Sequence, residues 1–269
     1  MTPQQAVVPQ ADPLPLLGPV LVAEPAVISA KVLQFPAAAS PLADPVVLPA
    51  ALPALTRAAL LAEFLLFFGA VPLLLQLKIC ASLPQLPLLW ITAAYVMFRL
   101  QRDPTFDRRE LWSMAPLRRQ LPQILALFAA GVVVISALVR VYAPGLFLAL
   151  PRMHPRLWLA VVVTYPLVSV YPQGLVFRTW VLHRYRPVLQ PDGTGEAKLL
   201  ILASAAAFAG MHLIFHNWIA VALTFPGGVL FARHYLNSKS LVVSSIEHAL
   251  YGCLLFTIGL GPFFGLHVG

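Results

Sequence analysis

Residues 121–139 read Leu121-Pro122-Gln123-Ile124-Leu125-Ala126-Leu127-Phe128-Ala129-Ala130-Gly131-Val132-Val133-Val134-Ile135-Ser136-Ala137-Leu138-Val139, without one charged side chain. A helix rises about 1.5 Å per residue, so about 20 apolar residues cross the hydrocarbon layer of a bilayer. The run therefore reads as a membrane span over 121–143. Similar runs lie on either side of it, at 57–77, 83–100, 157–182, 198–216, 218–234 and 240–262. Pro72, Pro166, Pro172 and Pro226 fall inside these runs, and membrane helices tolerate proline where neighbours satisfy the freed backbone. The expectation is an all-α, polytopic transmembrane helical bundle of about seven or eight helices, the eighth arising if 144–156 re-enters the membrane. No internal repeat is visible to support a transporter built from inverted halves.

Composition points the same way. Hydrophobic residues make up 59% of the 269-residue chain, charged residues 10%, and the mean hydropathy is +0.82. Soluble domains carry about 25% charged residues, so a water-soluble globule is excluded and membrane lipid is the expected partner. The net charge of +8 does not indicate nucleic acid, because the cations sit between apolar runs instead of forming one basic face. Arg99, Arg102, Arg108, Arg109, Arg118 and Arg119 form the densest group, followed by Arg184 with Arg186, and Arg233 with Lys239. By the positive-inside rule all three groups should face the cytoplasm, with the N-terminus inside. Residues 103–119, with Phe106, Leu111, Trp112 and Leu117 among charges, are expected along that interface. Two cysteines, Cys80 and Cys253, give neither a disulfide framework nor metal spacing. Nothing positive precedes Lys31, so a cleaved signal peptide is not expected and the first span would serve as the insertion signal.

Residues 1–54 are a different material, with prolines recurring from Pro3 to Pro53 among Ala and Val. That density forbids a continuous helix, and the segment reads as a disordered Pro/Ala-rich cytoplasmic tail ahead of a membrane domain at 55–269.

Ionisable side chains inside a membrane are expensive and are candidates for function. They concentrate in the late spans: Gln173 and Arg178 in the fourth, His212 in the fifth with His216 and Asn217 at its end, and Glu247 with His248 in the seventh. Each has a plain alternative. Arg178 lies close enough to the end of its run to snorkel to the headgroups, and His212 alone would suit a core histidine bonded to a carbonyl. Glu247 is harder to dismiss, since Glu63 is the only other acid in the apolar runs. A buried carboxylate must pair with a cation or take up a proton. Together these residues suffice for acid–base chemistry on water, and equally for a structural polar network. Two histidines and a carboxylate suit a metal as well, but no His-Glu-x-x-His motif is present, and no cofactor is expected.

The order of these pieces resembles the CAAX protease and bacteriocin-processing family, also called the abortive-infection family of intramembrane endopeptidases. Its pattern is Glu-Glu followed by Phe-Arg, then Phe-x-x-x-His, then His-x-x-x-Asn. The chain offers Phe177-Arg178, then Phe208 to His212, then His248 with Gly252 four residues on. The resemblance spans about 157–262 and implies a CAAX-protease-like fold. It also implies a mechanism in which the first glutamate and His212 activate water, His248 faces the oxyanion and Arg178 orients the first motif. The bacterial inner membrane is the location it implies.

Three positions depart from the pattern. Gln173 and Gly174 stand where the two glutamates belong, and Gly252 where the asparagine belongs. Either Glu247 has taken the base role from the seventh helix, or the chain has lost peptidase activity and binds a membrane partner with the same fold. The first reading makes it an intramembrane endopeptidase acting on a membrane-associated or lipidated protein. The second makes it a binding or scaffold protein. A third is a proton-coupled transporter using Glu247 and the histidines.

Overall fold

The computed structural model describes residues 52–77, 84–190 and 197–266. The expected proline-rich tail at 1–54 lies almost wholly outside these residues. Seven long helices carry the chain: α1 (Ala54–Gln76), α2 (Gln85–Arg102), α3 (Leu117–Tyr142), α4 (Pro155–Arg184), α5 (Lys198–Phe215), α6 (Trp218–Ser238) and α7 (Leu241–Ile258). Among the described residues there is no strand. All but α2 are long and apolar enough to cross a membrane. The 18-residue α2 carries Arg99 and Arg102 in its last turn and is the least apolar of the seven. The protein is thus an all-α, polytopic integral membrane protein. The segment 144–156 does not add an eighth span: it holds a single 3-10 turn at Pro144–Leu146 and a five-residue helix at Ala149–Met153.

The interior is built from the late helices. Only 11% of the apolar stretch of α1 and of α3 is buried, against 44% in α7. Leu65 and Phe67 on α1 and Val133 and Val141 on α3 are exposed, as lipid-facing side chains must be. By contrast, Gly174 to Leu182 on α4 are all buried. Helices α5 and α6 form a tight hairpin. Its contact is set by small residues, because a Cβ on Gly228 would lie 2.9 Å from the Ala205 Cα. Close backbone approach of this kind supplies van der Waals contact where lipid provides no hydrophobic drive.

Helix α4 is not a regular α-helix. It contains π-turns at Pro166–Val170 and Leu175–Trp180. Pro166 and Pro172 lack the N–H that would close an α-turn, and a π-turn accommodates the break by taking in an extra residue. Each extra residue rotates the following side chains by about 100°. Arg178 lies inside the second π-turn and points into the protein, 1% exposed, so it does not snorkel to the headgroups.

One end of the bundle is latched by polar contacts. Glu110 accepts a 2.6 Å hydrogen bond from Tyr235 and lies 3.8 Å from Lys239, while Ser240 donates to the Ser113 carbonyl. His183 pairs with Asp103 at 2.9 Å. Burial would raise the Asp103 carboxyl, but hydrogen bonds from Thr105 and His183 outweigh it and hold the group at about 2. Burial pushes the Lys239 ammonium down despite Glu110. The segment 103–116 is thereby tied as a strap across the ends of α4, α6 and α7. At the opposite end, Gly259 closes α7 at φ +104°, where a Cβ would collide with the Leu146 carbonyl oxygen 1.8 Å away.

Candidate active site

A cavity of about 1270 Å³ opens among α1–α7. Phe67, Leu86 and Val134 line it and are exposed, so the cavity is open and not sealed. Most of its wall is apolar. The polar groups on it include Tyr165, Ser169, Gln173, His212 and His248.

Two of the predicted residues meet through one aromatic side chain. The ring of Phe208 packs at 4.7 Å from the His212 ring and 5.2 Å from the His248 ring, centroid to centroid. His212 donates from Nδ1 to the Phe208 carbonyl, four residues back, at 2.7 Å. That bond fixes the tautomer and leaves Nε2 as the acceptor. His248 stacks on Phe231 at 4.8 Å, and its Nε2 lies 3.4 Å from the Tyr165 hydroxyl. Gln173 stands on the same wall, donating from Nε2 to Ser169 at 2.6 Å.

Arg178 sits behind this wall. Its guanidinium is sandwiched between Phe208 at 4.7 Å and Phe231 at 4.8 Å. Among the described residues, neither terminal nitrogen has a hydrogen-bond partner. A Cβ built on Gly174 would come within 3.4 Å of Arg178 Nη1 and 3.1 Å of Ser245 Oγ. The space beside the guanidinium is thus the space a side chain at 174 would enter.

Glu247 does not join the histidines. It is fully buried, is not on the cavity wall, and accepts a 2.7 Å hydrogen bond from Nδ1 of an equally buried His234. Adjacent helix residues point about 100° apart, and here that angle sends His248 to the cavity and Glu247 to α6. Among the described residues the one acid on the wall is Glu63, and both its oxygens are engaged. Arg184 donates to each at 3.0–3.2 Å and Tyr185 donates at 3.0 Å. His216 lines the cavity as well, whereas Asn217 caps α6 by accepting from the Ala220 amide at 2.8 Å.

Sequence reasoning missed two residues. His234 is Glu247's partner, and the signal was there: an ionisable side chain near the end of the sixth apolar run. Tyr165 touches His248 from α4, 83 positions away, and no local pattern announces it. Among the described residues no three of His, Cys, Asp and Glu come together to hold a metal.

No curated protein and no solved structure matches the chain significantly. A family model does. Residues 154–254, which cover α4 to α6 and most of α7, match the model described as type II CAAX prenyl endopeptidase Rce1-like. The match falls on the helices that carry Arg178, His212 and His248, and over these residues this integral membrane protein is similar to the Rce1-like, CAAX-protease-like family of peptidases.

Proposed function

We propose that this chain keeps the peptidase fold and its cavity but binds a lipidated segment of a membrane-associated protein without hydrolysing it. One observation carries the reading: the histidines face a cavity on whose wall, among the described residues, no carboxylate is free. Activation of water needs a base within hydrogen-bond reach. The position that should supply it holds an amide, Gln173, whose Nε2 is bound to Ser169. Glu247 is sealed against His234. Glu63 is held by Arg184 and Tyr185.

The cavity itself favours an apolar guest. It has an apolar wall and a volume of about 1270 Å³ that exceeds the usual small-molecule site. A prenyl or acyl chain attached to a protein suits it. The basic end, with Arg102, Arg108, Arg109, Arg184, Arg186 and Lys239, outweighs the other, with Arg140, Arg152 and Arg156. This favours the basic end as cytoplasmic.

A second reading has one observation in its favour. The His212–Phe208 bond leaves Nε2 of His212 as a free acceptor, which is the form a general base requires. In that case the chain is a peptidase that works without a carboxylate.

Binding is tested with the protein in lipid nanodiscs, titrated with a fluorescent S-farnesylated tetrapeptide. Saturable binding well above that of empty nanodiscs is expected. Signal equal to simple lipid partition overturns the proposal.

A further inference from the structure

Gly252 has no side chain, and the reason is Tyr165. A Cβ at position 252 would lie 2.3 Å from Tyr165 Cε1 and 2.6 Å from its hydroxyl oxygen. The phenol from α4 therefore fills the volume that any side chain on this turn of α7 would occupy. It is held there by an edge-to-face contact with Phe256, 5.2 Å between centroids, and both Tyr165 and Gly252 line the cavity.

The hydrogen bonding then has a direction. The His248 ring is clamped between Phe208 and Phe231. Its Nδ1 is buried without a protein partner, and its Nε2 faces the Tyr165 hydroxyl at 3.4 Å. A neutral imidazole carries one N–H. Placed on Nδ1, that hydrogen would be a sealed donor with nothing to bind, whereas an unused lone pair there is the lesser loss. The hydrogen belongs on Nε2, donating to the phenol oxygen. The phenol hydrogen is then free to donate into the cavity, and a donor to which another donor points is strengthened.

We propose that the Tyr165 hydroxyl, backed by His248, is the cavity's polar recognition group. It selects apolar chains that carry a carbonyl, as an ester, thioester or amide. This rests on the reading of the cavity as a site for an apolar ligand.

Two probes test it, farnesyl acetate and farnesyl ethyl ether, which share the chain and differ only in the carbonyl. In nanodiscs the acetate should bind more tightly to the wild-type protein. Tyr165→Phe keeps the ring and should weaken the acetate about five- to tenfold, the worth of one hydrogen bond, while leaving the ether unchanged. Gly252→Ala, which displaces the ring, should abolish the same preference. Equal effects on both probes, or none, overturn the role of Tyr165 while leaving the cavity reading intact. Failure of both probes to bind the wild-type protein overturns both.

Discussion

Glu247 and His234 form a closed pair, 2.7 Å apart and both fully buried, linking α7 to α6. It is an inter-helix tie inside a membrane protein, and its energetics are those of a buried polar pair. Removing one member strands the other without compensation, whereas replacing both by apolar side chains is far milder.

Glu247→Ala should therefore destabilise the protein by about 3 kcal/mol, read as a loss of thermal stability in detergent. The double change Glu247→Leu with His234→Leu should recover most of that loss. Ligand binding in the surviving Glu247→Gln protein should be unaltered. Loss of binding by Glu247→Gln in a folded protein would return this residue to the site.

The α5–α6 hairpin depends on the absence of a side chain at 228. The 2.9 Å approach to the Ala205 Cα is to backbone, which cannot turn aside. Gly228→Ala should cost about 1–3 kcal/mol through overpacking, whereas Gly69→Ala, with nothing within 4 Å of its Cβ, should be close to neutral. Thermal unfolding of the two variants side by side checks this.

Asp103 gives a pH signature at the strap. Its carboxyl sits near 2 in the folded protein, below the unfolded value of about 3.9. A depressed carboxyl contributes stability that is complete above the unfolded value and is lost as pH falls through the folded one. Thermal stability should consequently drop between about pH 4 and pH 2, and Asp103→Asn should flatten that part of the profile. An unchanged profile in the variant would mean that Asp103 does not stabilise the strap.

The first motif can be rebuilt. A glutamate at 174 has to displace the end of the Leu241 side chain, whose Cδ1 would lie 2.7 Å from the new Cβ, and would then sit beside Arg178. Flexible side-chain ends yield where backbone does not. Gln173→Glu with Gly174→Glu should raise cleavage of a farnesylated peptide at least about 10²-fold over the wild-type background, the usual worth of a positioned base. No gain in a folded variant would show that more than the base has been lost.

Much of this was readable in the chain. The uninterrupted apolar stretch 121–139 announces a membrane span without help, because burying a charge there is prohibitive. The Phe208–His212 spacing places a histidine one turn from an aromatic side chain, and the two rings do pack together. The surroundings of Glu247 were not readable. Whether a carboxylate on α7 turns to His248's cavity or to His234 depends on how α6 lies against it, and helix rotation is settled by packing. Arg178 was half legible. The sequence leaves snorkelling and an inward position both open, and the packing of its guanidinium between Phe208 and Phe231 decides for the second. Tyr165 was out of reach because its partnership with Gly252 and His248 joins helices far apart in sequence.

Binding without hydrolysis is read in a single experiment. The wild-type protein in nanodiscs is incubated with an S-farnesylated tetrapeptide at a concentration that saturates the cavity, and the products are followed by mass spectrometry. The peptide should stay intact, and His212→Ala should change nothing in the product profile. Release of the C-terminal tripeptide by the wild-type protein, abolished by His212→Ala, would contradict it.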